Sequence, residues 1–300
     1  MAVNDRYVWL DLARGASAIL VCAGHFRLMT MCSYRDLPDP NFFQTLFYVI
    51  TGLGTQAVMV FFVLSGMLGG ASVLRAGEKF RPGEYLVART IRLWVVLIPA
   101  LVFTLVVDAF TLQQAPEVAQ GSYFRRWTSG PLPDGSYSAS LATFLGNAAF
   151  VNTIFVPSYG TNGPLWTLAC EFWYYILFPL LAHAAGWIGP RSQVGTRIGA
   201  LLLAAGIAAI MPASMLGGFL VWLMGVGVAV VVPRLPAKPR VGGTMLGLLV
   251  FALSLVYSKL AHYGFVEPIP SRYIVGLGFA ILCVQLVRLP SPAGWIRWDA

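Results

Sequence analysis

Three ionisable residues interrupt an apolar stretch near the N-terminus. In "LDLARGASAILVCAGH", Asp11, Arg14 and His25 stand among side chains that suit a lipid environment. A charge at the centre of a bilayer costs at least about 2.5–3.5 kcal/mol on insertion scales, so such residues are kept when they are paired or functional. An imidazole has an unperturbed pKa of about 6.5, which suits proton removal at neutral pH. His25 is therefore a candidate general base.

Helical spacing places Arg14 and His25 on one face. They are eleven residues apart, which at 100° per residue returns to within about 20° of the same direction and spans roughly 16 Å. Asp11 lies one turn before Arg14 and can pair with it. One interpretation is a functional polar stripe along the helix. The other is a structural Asp11–Arg14 pair at the inner interface, with His25 at the outer interface.

A second polar position is Glu171, the only carboxylate in "TNGPLWTLACEFWYYILFPLL". Thr161 or Asn162 is expected to cap this helix, which places Glu171 about 10 Å into it. Trp166 and Tyr174 lie nearest to the face of Glu171 and are candidates for lining a pocket. The other aromatic residues fit an interfacial belt or a lipid-facing surface.

Two further motifs carry polar groups beside predicted membrane helices. Ser65, in "FFVLSG", offers a hydroxyl, and Gly66 after it permits close helix packing. Arg89 and Arg92, in "ARTIRLW", are three residues apart and share a helix face. They fit a positively charged cytoplasmic anchor, or a site for phosphate groups, which guanidinium forks bind well.

The composition predicts an all-α polytopic membrane protein. Of the 300 residues, 58% are hydrophobic and 11% are charged, whereas about a quarter are charged in a soluble domain. We interpret the net charge of +8 as loop charges that set the topology, so no nucleic-acid partner is expected. The four cysteines are scattered without a CxxC pair, and no metal site or disulfide framework is expected.

Apolar runs of about 20 residues predict eight transmembrane helices. They are 7–29, 53–73, 93–112, 164–186, 197–212, 214–232, 242–261 and 272–289. A cytoplasmic N-terminus places most basic residues inside: Arg75, Lys79, Arg81, Arg89, Arg92, Arg191, Arg197, Arg234, Lys238, Arg240, Arg288 and Arg297. The outer loops then carry Arg27, Arg35, Arg125 and Arg126. The apolar segment 141–157 is predicted to be re-entrant or interfacial, because a further crossing would put the basic residues of 234–240 outside.

Four motifs, in this order, resemble the integral-membrane acyltransferase-3 family. They are the Arg–ten residues–His pattern of Arg14 and His25, "FFVLSG" (61–66), "RTIR" (89–92) with the following "LWVVLIP", and "GPLWTLACEFWYYILFPLL" (163–181). Each motif is weak alone, and the four together at this spacing are specific. The later helices match the family in hydrophobicity only.

The resemblance implies O-acylation of surface sugars. An acyl group, acetyl in the family's commonest case, would pass from cytoplasmic acyl-CoA to a hydroxyl of a sugar or glycan acceptor at the outer face of a bacterial inner (plasma) membrane. Acyl-CoA, the acceptor, the bilayer and glycan-assembly proteins are the implied partners, with no metal. We expect one acyltransferase domain over 1–300. Family members usually have about ten helices, so this chain is expected to be truncated or shorter at its C-terminus.

The resemblance also implies roles for the polar residues. Arg89 and Arg92 would hold the phosphates of the coenzyme, and its pantetheine arm would pass Arg14 and Ser65 toward His25. In order of depth, Arg89 and Arg92 would lie at the inner mouth of this path.

Glu171 and His25 would then lie nearer the outer side. His25 would act as general base, with an acyl-histidine intermediate as the variant mechanism. Asp11 and Arg14 would fix the polar stripe, and Glu171 would orient the imidazole or bind acceptor hydroxyls.

Two alternatives come from other protein classes. Proton-coupled transporters or flippases for a glycan or lipid also use intramembrane His, Glu and Arg, although the two halves of this chain lack the repeat symmetry that many carriers have. The second alternative is a membrane-embedded partner subunit without its own activity.

Overall fold

The computed structural model describes residues 8–122, 131–133, 135, 137–189, 194–262 and 271–290. Within these residues the secondary structure is helical, without a β-strand. The described residues form ten α-helices: α1 (Val8–Thr30), α2 (Phe42–Thr51), α3 (Gly54–Ala76), α4 (Pro82–Gln114), α5 (Leu141–Ala148), α6 (Trp166–Ala184), α7 (Val194–Ile210), α8 (Ala213–Val231), α9 (Val241–His262) and α10 (Ser271–Leu286). Each of the eight predicted membrane segments coincides with one of them. The prediction of an all-α polytopic membrane protein is therefore confirmed.

Five segments of the described chain are long and apolar enough to cross a membrane. They are Phe42–Lys79, Pro82–Gln114, Gly163–Ala184, Ala213–Arg234 and Val241–Ala261. Helices α7 and α10 are apolar but shorter. The eight crossings and the cytoplasmic N-terminus therefore stay predictions. Four of the basic residues on which the predicted topology rests lie outside the described residues: Arg125, Arg126, Arg191 and Arg297.

Helix α4 begins eleven residues before the predicted span 93–112. Pro82 occupies its first turn, where a missing backbone N–H costs nothing. With 33 residues and a rise of about 1.5 Å per residue, α4 is longer than a hydrocarbon core of about 30 Å. Arg89 and Arg92 consequently lie within the helix rather than in the loop before it.

The apolar segment 141–157 does not form a spanning helix. Helix α5 has eight residues, about 12 Å, and begins where the Ser140 side chain accepts a hydrogen bond from the Thr143 backbone N–H (3.1 Å). After α5 the chain turns through Phe150 and Thr153, both with positive φ (59° and 69°). The segment thus lacks a helix long enough to cross a membrane, and its re-entrant or interfacial position stays a prediction.

Three side chains hold the segment after α5 in place. The buried Asn147 amide donates to the carbonyls of Thr143 (2.8 Å) and Pro157 (3.0 Å) and accepts from the Tyr159 backbone N–H (3.2 Å). Two tryptophans fasten the same segment to its neighbours: Trp94 of α4 donates to the Ala148 carbonyl (2.8 Å) and Trp173 of α6 to the Phe150 carbonyl (2.9 Å). The segment is therefore fixed by hydrogen bonds on both sides.

Helix α2 was not predicted from the sequence. Asn41 and Gln44 form a capping box at its start, which is a sequence signature of a helix N-terminus. Its first two residues, Phe42 and Phe43, are 73% and 78% exposed. Helix α2 has ten residues, and a rule that looks for about 20 consecutive apolar residues does not detect a helix of this length.

The chain divides into two compact units. The first consists of Met1–Cys22, Leu53–Ala71 and Leu220–Ala300, and the second of Ala23–Gly52 and Ser72–Phe219. Helix α1 contributes its first part to the first unit and its last part to the second.

In the first unit, α3 and α8 pack backbone against backbone. A Cβ on Gly66 would lie 1.8 Å from the Trp222 carbonyl oxygen, and a Cβ on Gly225 would lie 2.0 Å from the Val63 carbonyl oxygen. Trp222 donates its indole N–H to Ser65 Oγ (3.2 Å). The predicted close helix packing at "FFVLSG" is therefore confirmed, since only glycine fits at these two positions.

Candidate active site

A guanidinium faces two tyrosine rings in the second unit. Arg89 Cζ is 5.3 Å from the ring centroid of Tyr85, one turn earlier on α4, and 5.1 Å from that of Tyr175 on α6. The two rings meet edge to face, with centroids 6.2 Å apart. Arg89 also donates a hydrogen bond to Ser72 Oγ (2.9 Å). Two cation–π contacts and this hydrogen bond fix the half-buried guanidinium.

The same tyrosine connects this cation to Glu171. The Tyr175 hydroxyl donates to Glu171 Oε1, one turn earlier on α6, a spacing that places both side chains on one helix face. Tyr175 is 2% exposed, whereas Glu171 is half-buried. We refer to Ser72, Tyr85, Arg89, Glu171 and Tyr175 as the arginine–tyrosine cluster.

The cluster connects two residues that were predicted at different depths. Arg89 was expected at the inner mouth and Glu171 nearer the outer side, and Tyr175 contacts both. The early start of α4 moves Arg89 about 10 Å into the helix, and Tyr175 extends one turn beyond Glu171. Sequence reasoning missed Tyr85 and Tyr175, although the spacing of four residues in Tyr85–Arg89 and in Glu171–Tyr175 marks two shared helix faces.

Arg92 differs from its neighbour Arg89. It is exposed, and it makes no hydrogen bond or ion pair with any residue that the structure describes. Its guanidinium can therefore bind an anion without first breaking an intramolecular contact.

The predicted Asp11–Arg14 pair forms at the start of α1. Arg14 NH1 lies 3.0 Å from Asp11 Oδ1, with side chains 34% and 53% exposed. His25 is half-buried, lies on the part of α1 that belongs to the second unit, and makes no hydrogen bond within the described ranges.

The two aromatic candidates on α6 lie in different surroundings. Tyr174 is fully buried: its hydroxyl donates to the Met215 carbonyl (2.6 Å) and its ring lies 5.3 Å from Phe219. Both partners belong to α8, so Tyr174 packs α6 against that helix. Trp166 is half-buried at the first residue of α6.

A sequence profile of the acyltransferase domain (Acyl_transf_3) matches residues 7–299. The chain belongs to the acyltransferase-3 family. The match extends through α7 to α10, for which the four motifs gave no assignment, and it favours an enzyme over a transporter. No curated protein and no solved structure shows significant similarity to the chain.

A second carboxylate in this membrane acyltransferase was missed from the sequence. Asp108, near the end of α4, is 3% exposed. It accepts hydrogen bonds from the backbone N–H and the hydroxyl of Thr161 (2.8 and 2.7 Å) and from the Tyr137 hydroxyl (3.4 Å). Burial, and then the neighbouring carboxylate, raise the pKa of Tyr137 to about 12. The Tyr137 hydroxyl therefore keeps its proton at neutral pH and remains a donor.

The contacts of Asp108 overturn the predicted cap of α6. Thr161 bonds to Asp108 and Asn162 donates to Thr104 Oγ1 (2.9 Å), so neither side chain caps α6, which starts after a 3-10 turn. Gly160, with φ of +59°, has no room for a Cβ, because it would lie 2.1 Å from Asp108 Oδ2. The turn before α6 is thus anchored on α4.

Proposed function

We propose that this acyltransferase transfers an acyl group, acetyl in the first instance, from cytoplasmic acyl-CoA to a hydroxyl of a sugar or glycan at the outer face of a bacterial inner (plasma) membrane. The observation that carries the proposal is the arginine–tyrosine cluster. In a family defined by acyl transfer, it offers a fixed cation for an anionic donor and a carboxylate for a hydroxylated acceptor.

The donor side of the proposal rests on two arginines with complementary properties. Arg89 is already oriented by Ser72 and the two rings, so little side-chain entropy remains to be lost when a phosphate binds. Arg92 is exposed and adds a second guanidinium fork, suited to bidentate phosphate binding. In the proposal, Arg14 and Ser65 contact the pantetheine arm.

The acceptor side rests on α6. Tyr175 holds one oxygen of the half-buried Glu171, so the carboxylate has a defined orientation toward a hydroxylated ligand. Trp166, at the start of the same helix, adds a half-buried aromatic face against which a sugar ring can pack. Tyr174 supports this helix through its packing on α8.

The proposed chemistry is a direct transfer assisted by His25. The imidazole takes the proton of the acceptor hydroxyl, and the hydroxyl oxygen attacks the thioester carbonyl carbon. The C–S bond then breaks, and the departing thiolate receives the proton from the imidazolium, giving an ester and free coenzyme A. Asp11 and Arg14 maintain the polar stripe of α1. The variant mechanism has His25 attack the thioester itself and form an acyl-histidine intermediate.

Release of free thiol from acetyl-CoA tests the function. Purified protein in nanodiscs, with a glycan acceptor, is expected to release thiol in an acceptor-dependent manner. His25→Ala should lower the rate by about 10²–10⁴-fold, because a general base is lost. Cys22→Ala, on the same helix and exposed, is the matched control and should retain activity.

Two results would count against the proposal. Acceptor movement across the membrane without thiol release would identify a carrier. A folded His25→Ala protein with normal turnover would reject the general base while leaving acyl transfer intact.

A further inference from the structure

The first unit contains a cavity of about 180 Å³ between α1, α3, α9 and α10. The small residues Ala13, Ala16 and Ala57 of α1 and α3 line the cavity and make room for it. Phe251 of α9 and Leu282 of α10 also line it. The described residues that line the cavity include no charged side chain. An anionic ligand such as a nucleotide or a carboxylate therefore has no counter-charge here.

One polar side chain in the wall has an unmet hydrogen-bonding group. Gln56 lines the cavity and is 9% exposed. Its Nε2 lies 2.8 Å from the hydroxyl of Ser258, which is itself 3% exposed. Its Oε1 is buried and has no hydrogen-bond partner within the described residues. Buried amide oxygens are nearly always paired, because an unpaired one loses its solvation without compensation.

The chemistry of an amide next to a hydroxyl narrows the class of ligand. Ser258 can accept from the amide nitrogen or donate to the amide oxygen, so either end of Gln56 can face the cavity. A ligand hydroxyl both donates and accepts, and it pairs with either end. A ligand carbonyl pairs only with the nitrogen, and an ammonium only with the oxygen. A hydroxyl is therefore the group that satisfies Gln56 in both arrangements.

The size and the walls determine the rest of the ligand. An apolar cavity of about 150 Å³ in another protein binds one benzene ring, so this one suits an apolar group of similar bulk.

We infer that this cavity binds an apolar alcohol, with its hydroxyl on Gln56 and its hydrocarbon part between Ala57 and Phe251. The inference is independent of the proposed acyl transfer, because none of the arginine–tyrosine cluster residues lines the cavity.

Binding of a fluorinated probe tests the inference. Full-length protein in nanodiscs is titrated with 4-fluorobenzyl alcohol, followed by fluorine NMR, and with 1-ethyl-4-fluorobenzene, which has the same shape without the hydroxyl. Empty nanodiscs correct for partition into lipid. The alcohol is expected to bind about tenfold more tightly than the hydrocarbon, the effect of one hydrogen bond to an otherwise unpaired group.

Three variants locate the site. Gln56→Met keeps the length of the side chain and should remove the preference for the alcohol. Ala57→Phe fills the cavity and should remove the binding of both probes. Ala252→Phe, at an exposed position of α9 outside the lining, is the matched control and should change neither.

The outcomes decide the inference even if Gln56→Met does not fold. Equal binding of the two probes to the wild-type protein would overturn it, as would unchanged binding to Ala57→Phe. Competition with farnesol distinguishes the source of the ligand. Displacement of the probe indicates the hydroxyl end of a lipid alcohol, and retention of the probe with its alcohol preference indicates a small free alcohol.

Discussion

Two carboxylates in apolar helices of the second unit have opposite surroundings. Asp108 is almost fully buried, and the three hydrogen bonds described above come from neutral donors in one neighbouring stretch of chain. Glu171 is half-buried and is linked through Tyr175 to the guanidinium of Arg89. A carboxylate surrounded by neutral donors fixes the backbone that supplies them. A half-exposed carboxylate connected to a cation can instead act on a ligand.

The largest expected effect is on protein stability, which should depend on Asp108 and hardly on Glu171. Asp108→Ala leaves the half-buried Thr161 without the acceptor of its N–H and hydroxyl and should lower the free energy of unfolding by about 3 kcal/mol. Glu171→Gln should change stability little and lower turnover. Thermal unfolding in detergent, measured beside thiol release, checks both variants. Wild-type stability of Asp108→Ala would contradict the anchoring role of this carboxylate.

The next effect concerns Arg89, the cation that is linked to Glu171 through Tyr175. Arg89→Lys keeps the charge but loses the planar fork that contacts the two rings and reaches Ser72. The KM for acetyl-CoA should rise about tenfold, with a smaller change in kcat. Arg81→Lys, an exposed residue at the start of α4 that pairs with Glu84, is the control. Unchanged kinetics of Arg89→Lys would show that the guanidinium of Arg89 does not bind acetyl-CoA and only packs against the two rings.

The smallest expected effect tests the hydrogen bond between Tyr175 and Glu171. Tyr175→Phe keeps the ring on Arg89 and removes the hydroxyl that holds Glu171, so kcat should fall about fivefold at a nearly constant KM for acetyl-CoA. Tyr85→Phe is a close control, because it removes the hydroxyl of the other ring that faces Arg89 and does not touch the Tyr175–Glu171 hydrogen bond. If both variants lose the same activity, the loss does not come from the Tyr175–Glu171 hydrogen bond.

The fold was largely predictable because hydropathy is a local property. All eight apolar segments are helices, and the pairing of Asp11 with Arg14 and the close approach at Gly66 followed from spacing along single helices. The start of α4 was not predicted, because its first turns, "PGEYLVARTIR", contain too many polar residues to be part of an apolar run. Helix α2 was missed because it is too short to be found as an apolar run of about 20 residues.

The candidate site was only half predictable, because its contacts join distant segments. Arg89 and Glu171 were found as isolated polar residues, but their connection depends on the packing of α4 against α6. Asp108 was overlooked because its main partner, Thr161, is 53 residues away. Local patterns contain no signal for such pairs, whereas the spacing of four residues between Glu171 and Tyr175 was available and was not used.

The pairing of Asp108 with Thr161 also imposes an order on biogenesis. Because Thr161 follows Asp108 by 53 residues, a ribosome that adds about 5–20 residues per second completes α4 roughly 3–10 seconds before this partner exists. During that interval the carboxylate lacks the donors that it has in the folded protein, and because a charge in a hydrocarbon core is costly, we expect the end of α4 to stay in a polar environment until they are made. The fold at this end of α4 is thus expected to depend on chain that is synthesised later.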